Sequence, residues 1–147
     1  MTSQKSAKIS VWCSRSLAAV ILLLCFFMYD LLVWYSRLRQ LNWQVGAAIL
    51  IGFYLCVPAV LYALWCIEGL LKNILRQQVF VSANVVALRR IRRCCAYVSF
   101  ICLVSGIPYP PLLFLAVIMA FLALMVSVVK NVMAAAVELR EENDLTI

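Results

Sequence analysis

Few side chains in this sequence are equipped for chemistry. Histidine is absent, which removes His-ligated zinc, His-ligated haem and imidazole acid–base catalysis. Two acids, Asp30 and Glu68, fall within apolar segments, where an ionisable group is costly and by default a functional candidate. They lie toward opposite ends of successive segments, so they cannot form a carboxylate pair, and no further acid links them into a relay. Asp30 precedes Arg37 on roughly the same helical face, and Glu68 stands four residues before Lys72, the spacing of a helical ion pair. These structural roles compete with a functional one. Vicinal Cys94 and Cys95 point about 100° apart on a helix, which suits packing of small residues as well as ligation of a soft metal.

The seven cysteines (Cys13, Cys25, Cys56, Cys66, Cys94, Cys95, Cys102) contain no C-x-x-C and are odd in number, so no disulfide framework is expected. Serine and threonine have no companion base. No Walker loop, G-x-S-x-G elbow or H-E-x-x-H occurs. The expectation is a protein that is not an enzyme and that uses no cofactor and no metal.

Composition then says where these residues must sit. Hydrophobic residues make up 67% of the 147 residues, and mean hydropathy is +1.03. Soluble domains are about 45–50% apolar, so the excess must face lipid. The first apolar run, Leu17 to Val33, exceeds a signal-peptide core and is followed by no small-x-small site, so it reads as a retained span. The pattern predicts an all-α, four-helix transmembrane bundle in a single domain. Its spans are about 17–35, 43–71, 91–107 and 112–129, with a cytoplasmic tail over 130–147.

Lys5, Lys8, Arg15, Lys72, Arg76, Arg89, Arg90, Arg92, Arg93, Lys130 and Arg140 all fall on one side of such a bundle. Only Arg37 and Arg39 fall on the other. The positive-inside rule then places both termini in the cytoplasm of a plasma membrane. The basic residues are expected to meet anionic lipid headgroups rather than nucleic acid.

As a helix, 43–71 measures about 44 Å against a hydrocarbon core of roughly 30 Å. It must tilt, kink at Pro58 or project, so the second and fourth helices are expected to extend into the cytoplasm. Ser82 is the expected N-cap of the third helix. Pro108-Tyr109-Pro110-Pro111 ends the third and starts the fourth. Small residues recur at spacings of four, three and four: Cys95, Ser99, Cys102, Gly106 on the third helix and Ala116, Ala120, Ala123, Ser127 on the fourth. Lipid tails are as apolar as leucine, so close approach of small residues drives helix association. These two stripes are expected to meet.

The end of the chain is acidic. Glu138, Glu141, Glu142 and Asp144 stand there with only Arg140, and acids at a helix C-terminus oppose the macrodipole. Docking onto Arg89, Arg90, Arg92 and Arg93 would compensate, with Leu145 and Ile147 packed against Phe80 or Leu88.

Two stretches carry a more specific signal. Phe80 to Ile91 has the pattern F-x-x-x-N-x-x-x-L-R-x-I, and Leu139 to Ile147 reads L-x-E-E-N-D-L-T-I. On these the chain resembles a bacterial family of small four-helix membrane proteins classed as a domain of unknown function. It departs from the family pattern at Gln77-Gln78-Val79, where members often carry a glycine. The family has no established activity. Its gene arrangement is similar to systems that pair a small membrane protein with a small helix-turn-helix regulator. The resemblance therefore implies an inner-membrane protein that binds or sequesters such a regulator in response to a membrane or external signal. The residues expected to form the partner surface are Phe80, Asn84, Arg89, Arg90, Arg92, Arg93, Glu141, Glu142, Asn143, Asp144, Leu145, Thr146 and Ile147. The rival reading is a small transporter or peptide-toxin immunity protein with Asp30 or Glu68 as the working charge. A homo-oligomer is compatible with either.

Overall fold

The computed structural model describes residues 2–146; Ile147 lies outside them. Four helices follow one another: α1 Thr2–Arg39, α2 Trp43–Leu75, α3 Ser82–Ser105 and α4 Pro111–Leu145. No strand occurs among the described residues. The all-α expectation holds. α1 begins well before the first apolar run, and α4 continues through the acidic segment to Leu145.

The turns explain where the helices stop. After α1, Gln40 adopts the left-handed conformation (φ 49°), and the Leu41 amide donates to the Ser36 carbonyl. After α2, Gln77 does the same (φ 60°), with the Gln78 amide donating to Asn73. Both are Schellman-type ends in which glutamine stands where glycine would carry no steric cost. Val81, not Ser82, occupies the N-cap of α3. Ser82 is already helical, so the expected side-chain cap is not made. Pro111 opens α4, where its missing amide and fixed φ fit the first helical position. α2 passes through Pro58 without ending.

The helices pack in chain order: α1 on α2, α2 on α3, α3 on α4. One buried cluster joins Cys66 to Leu88 and Ile91, with Val126 and Met133 beside it. A second joins Val98, Cys102 and Ala116, with Cys56, Ala59, Val60 and Met119 beside it. Residue numbers rise along α2 and α4, and fall along α3, from the second cluster to the first. Neighbours are therefore antiparallel, and α2 and α4 run the same way.

The predicted α3–α4 stripe pairing is met at its centre. Ser99 Oγ donates to the Ala116 carbonyl at 2.8 Å, Ala116 and Cys102 are buried, and Gly106 sits against Leu113. Ala120 is exposed and drops out of the interface, which follows Ala116, Met119, Val126 and Met133 along α4 instead. A contact with no counterpart in the stripes lies between α2 and α3. A Cβ on Gly52 would stand 2.5 Å from Ser105 Oγ and 3.3 Å from Ser105 Cβ, so a larger residue there would have to turn Ser105 away or move the helices apart.

Three helices are long and apolar enough to cross a membrane: Lys8–Arg39, Trp43–Leu75 and Pro111–Leu145. α3 does not meet that test, because Arg89, Arg90, Arg92 and Arg93 occupy its first half. The part of α3 beyond Arg93, Cys94 to Ser105, is about 18 Å long, short of a hydrocarbon core of roughly 30 Å.

Candidate functional site

One end of the molecule gathers most of the charge. It is built from the last turns of α2, the α2–α3 turn, the first half of α3 and the last turns of α4. Its keystone is Asn84, which is fully buried. Asn84 Nδ2 donates to the carbonyls of Gln78 (2.9 Å) and Val79 (2.8 Å), and its Oδ1 accepts from Asn73 Nδ2 at 2.9 Å. Both side-chain N–H groups and the oxygen are thus spent inside the turn. Asn84 was expected on the partner surface. Instead it offers no surface and holds the turn that presents its neighbours. Phe80, four residues earlier, is 48% exposed.

The acidic segment is the end of α4. Thr146 Oγ1 donates to the Glu142 carbonyl at 2.6 Å. Ser82, Val85, Val86 and Arg89 share one groove with Ala134, Val137, Glu138 and Glu141. An adjoining depression brings Gln77, Gln78, Phe80 and Val81 together with Arg140, Glu141 and Asp144. The acidic end therefore lies along the start of α3, as charge complementarity anticipates. It does so without ion pairing: among the described residues, every bridge within 4.0 Å is made by Glu68. Leu145 is 87% exposed, so it does not pack against Phe80 or Leu88. Glu142 and Asn143 are exposed as well, as are Arg90 and Arg93, while Arg92 is half-buried.

Glu68 has the partner that its spacing anticipates, Lys72 at 3.2 Å, and a stronger one that it does not. Arg15 of α1 donates to Glu68 Oε1 through both Nη2 (2.8 Å) and Nε (3.2 Å). Fifty-three residues separate Arg15 from Glu68, so no local spacing signals the pair. Asp30 is exposed and forms no ion pair with Arg37 among the described residues. At the opposite end of the molecule, the Tyr35 and Tyr109 hydroxyls share a hydrogen bond of 2.6 Å. That bond ties α1 to the α3–α4 turn and holds the Tyr109 phenol above its ordinary range. Cys94 and Cys95 are half-buried free thiols. Among the described residues, no three potential metal ligands converge.

A family model, Protein of unknown function (DUF2975), matches residues 14–147. The chain belongs to this family. The match takes in all four helices, apart from the first turns of α1, and the whole of the charged end. No curated protein and no solved structure matches the chain. The DUF2975 assignment fixes kinship and leaves function to be argued from the residues.

Proposed function

We propose that the chain is a non-enzymatic, four-pass protein of the bacterial plasma (inner) membrane with both termini in the cytoplasm. Its charged end holds a soluble partner of the small helix-turn-helix regulator class and releases it when a signal shifts the helices. The observation that carries this reading is apolar. Phe80 is 48% exposed in a depression that it lines with Val81 and Val137 among Gln77, Gln78, Arg140 and Asp144, and Leu145, the residue after Asp144, is 87% exposed. An aromatic anchor set among polar side chains on a hydrogen-bonded turn has the character of a protein contact.

Geometry supports the fourth crossing. α2 and α4 run in the same direction. If both cross the membrane, the chain between them must cross back, and α3 is the helix that lies there. Its arginines then reach the interface by extending along their own helix. The same arrangement gathers eleven basic residues at one end and leaves Arg37 and Arg39 at the other, the asymmetry that directs the basic end to the cytoplasm.

The test is co-purification of the full chain with the product of the adjacent reading frame, which this proposal requires to be a small helix-turn-helix protein. Phe80→Asp and truncation after Leu139 should each abolish retention. Failure of the wild type to retain it, or retention untouched by both changes, would refute the proposal.

A further inference from the structure

The seam between α2 and α3 ends in a cavity of about 390 Å³, distinct from the Phe80 depression. Its wall carries Lys72, Arg76 and Arg90 together with Trp65, Leu70 and Val86. Glu68 also reaches it, but that carboxylate is already held by Arg15 at 2.8 Å and by Lys72 at 3.2 Å. Among the described residues, neither Arg76 nor Arg90 has a carboxylate within 4.0 Å. The cavity thus has an unneutralised positive charge, supplied by Arg76 at the C-cap of α2 and Arg90 in the third turn of α3. The Asn73–Asn84 hydrogen bond (2.9 Å) fixes the separation of those two helices beside it.

The wall also has a polarity gradient. From Arg76 back to Trp65 the cavity follows α2 for about 16 Å, from guanidinium to an indole that is 65% exposed. A free phosphate would engage the cations and leave the apolar wall unused. A ligand with a phosphate at one end and a hydrocarbon chain at the other would use both.

We propose that this cavity binds the phosphodiester of an anionic phospholipid, with Arg76 and Arg90 on the phosphate oxygens and an acyl chain beside Trp65 and Leu70. Guanidinium forks match two phosphate oxygens at once. This assignment goes beyond partner binding and does not depend on it.

Native mass spectrometry of the full chain in a neutral detergent, titrated with phosphatidylglycerol or phosphatidylcholine, tests it. One phosphatidylglycerol should bind about tenfold more tightly than phosphatidylcholine: both carry the phosphodiester, but the choline ammonium would bring a further cation into a cavity that is already positive. Arg76→Gln and Arg90→Gln should each weaken phosphatidylglycerol about tenfold, and together about a hundredfold. Arg76→Lys with Arg90→Lys should retain part of the binding, and Arg93→Gln, outside the cavity wall, should retain all of it. Should the double glutamine variant fold poorly, the single variants decide. Equal weakening by Arg93→Gln would mean diffuse attraction and overturn the site. Displacement of phosphatidylglycerol by excess inorganic phosphate would make free phosphate the ligand and overturn the lipid assignment.

Discussion

Replacing Asn84 tests the turn on which the charged end depends. Its three side-chain hydrogen bonds (2.8–2.9 Å) are all made from a fully buried position. At about 1 kcal/mol each, Asn84→Ala forfeits about 3 kcal/mol, and unpaired carbonyls would add to that. Gln78 is exposed, so its carbonyl regains water, which brings the expected loss to about 2–3 kcal/mol. Asn84→Asp is isosteric and keeps an acceptor for Asn73, but it aims a carboxylate oxygen at two carbonyls. It should cost more than alanine at neutral pH and less in acid, where a protonated carboxyl can donate once. Asn73→Ala removes one bond and should cost about 1 kcal/mol. The double variant should lose less than the sum, because the two residues share that bond. The assay is equilibrium unfolding in mixed micelles with increasing dodecyl sulfate, followed by circular dichroism. If Asn84→Ala lies within about 0.5 kcal/mol of wild type, the scatter of neutral surface changes, the turn is not held this way.

Other consequences follow from particular contacts. Gly52→Leu should destabilise by about 1–3 kcal/mol, as overpacking does, while Ala120→Leu on an exposed face should be neutral in the same unfolding assay; equal effects would refute the packing. Gln77→Gly should stabilise by roughly 1 kcal/mol by removing a left-handed non-glycine residue, and a loss of stability would count against the Schellman end. The Tyr109 phenol is raised by its bond to Tyr35. The stabilisation is therefore complete below the ordinary phenol range and lost as pH rises through the raised value. Ultraviolet titration should show Tyr109 ionising at lower pH in Tyr35→Phe, and an unchanged profile would remove the contact. Reporter fusions at Asn42 and after Ile147 should report opposite compartments, and the same compartment for both would dismiss four crossings. In a background without native cysteines, Ser82→Cys and Val137→Cys should crosslink across the groove they share, and absence of a crosslink would free the end of α4.

What the sequence determined by itself is what depends on neighbours along the chain. Three of the four helices follow from long apolar runs, and the α3–α4 turn follows from Pro108, Pro110 and Pro111. The gathering of basic residues at one end follows from counting Lys and Arg between runs. The ion pair of Glu68 with Lys72 was legible as an i,i+4 spacing, and the contact of the two small-residue stripes was legible around Ser99 and Ala116.

Tertiary structure decided which groups are withdrawn from lipid. In water, hydrophobicity sorts inside from outside. In a bilayer a leucine is solvated as well by lipid as by protein, so apolar patterning carries no such instruction. α3 is the least apolar of the four helices, yet it carries most of the buried residues, from Asn84 to Cys102, because α2 and α4 both pack against it. Arg15 meets Glu68, Gly52 admits Ser105, and Tyr35 reaches Tyr109 across separations that no helical period encodes. Asn84 showed in the sequence as part of a motif. Its burial shows why a residue with two donors and an acceptor is needed there: the backbone turn behind it leaves two carbonyls and one amide side chain to be satisfied at once.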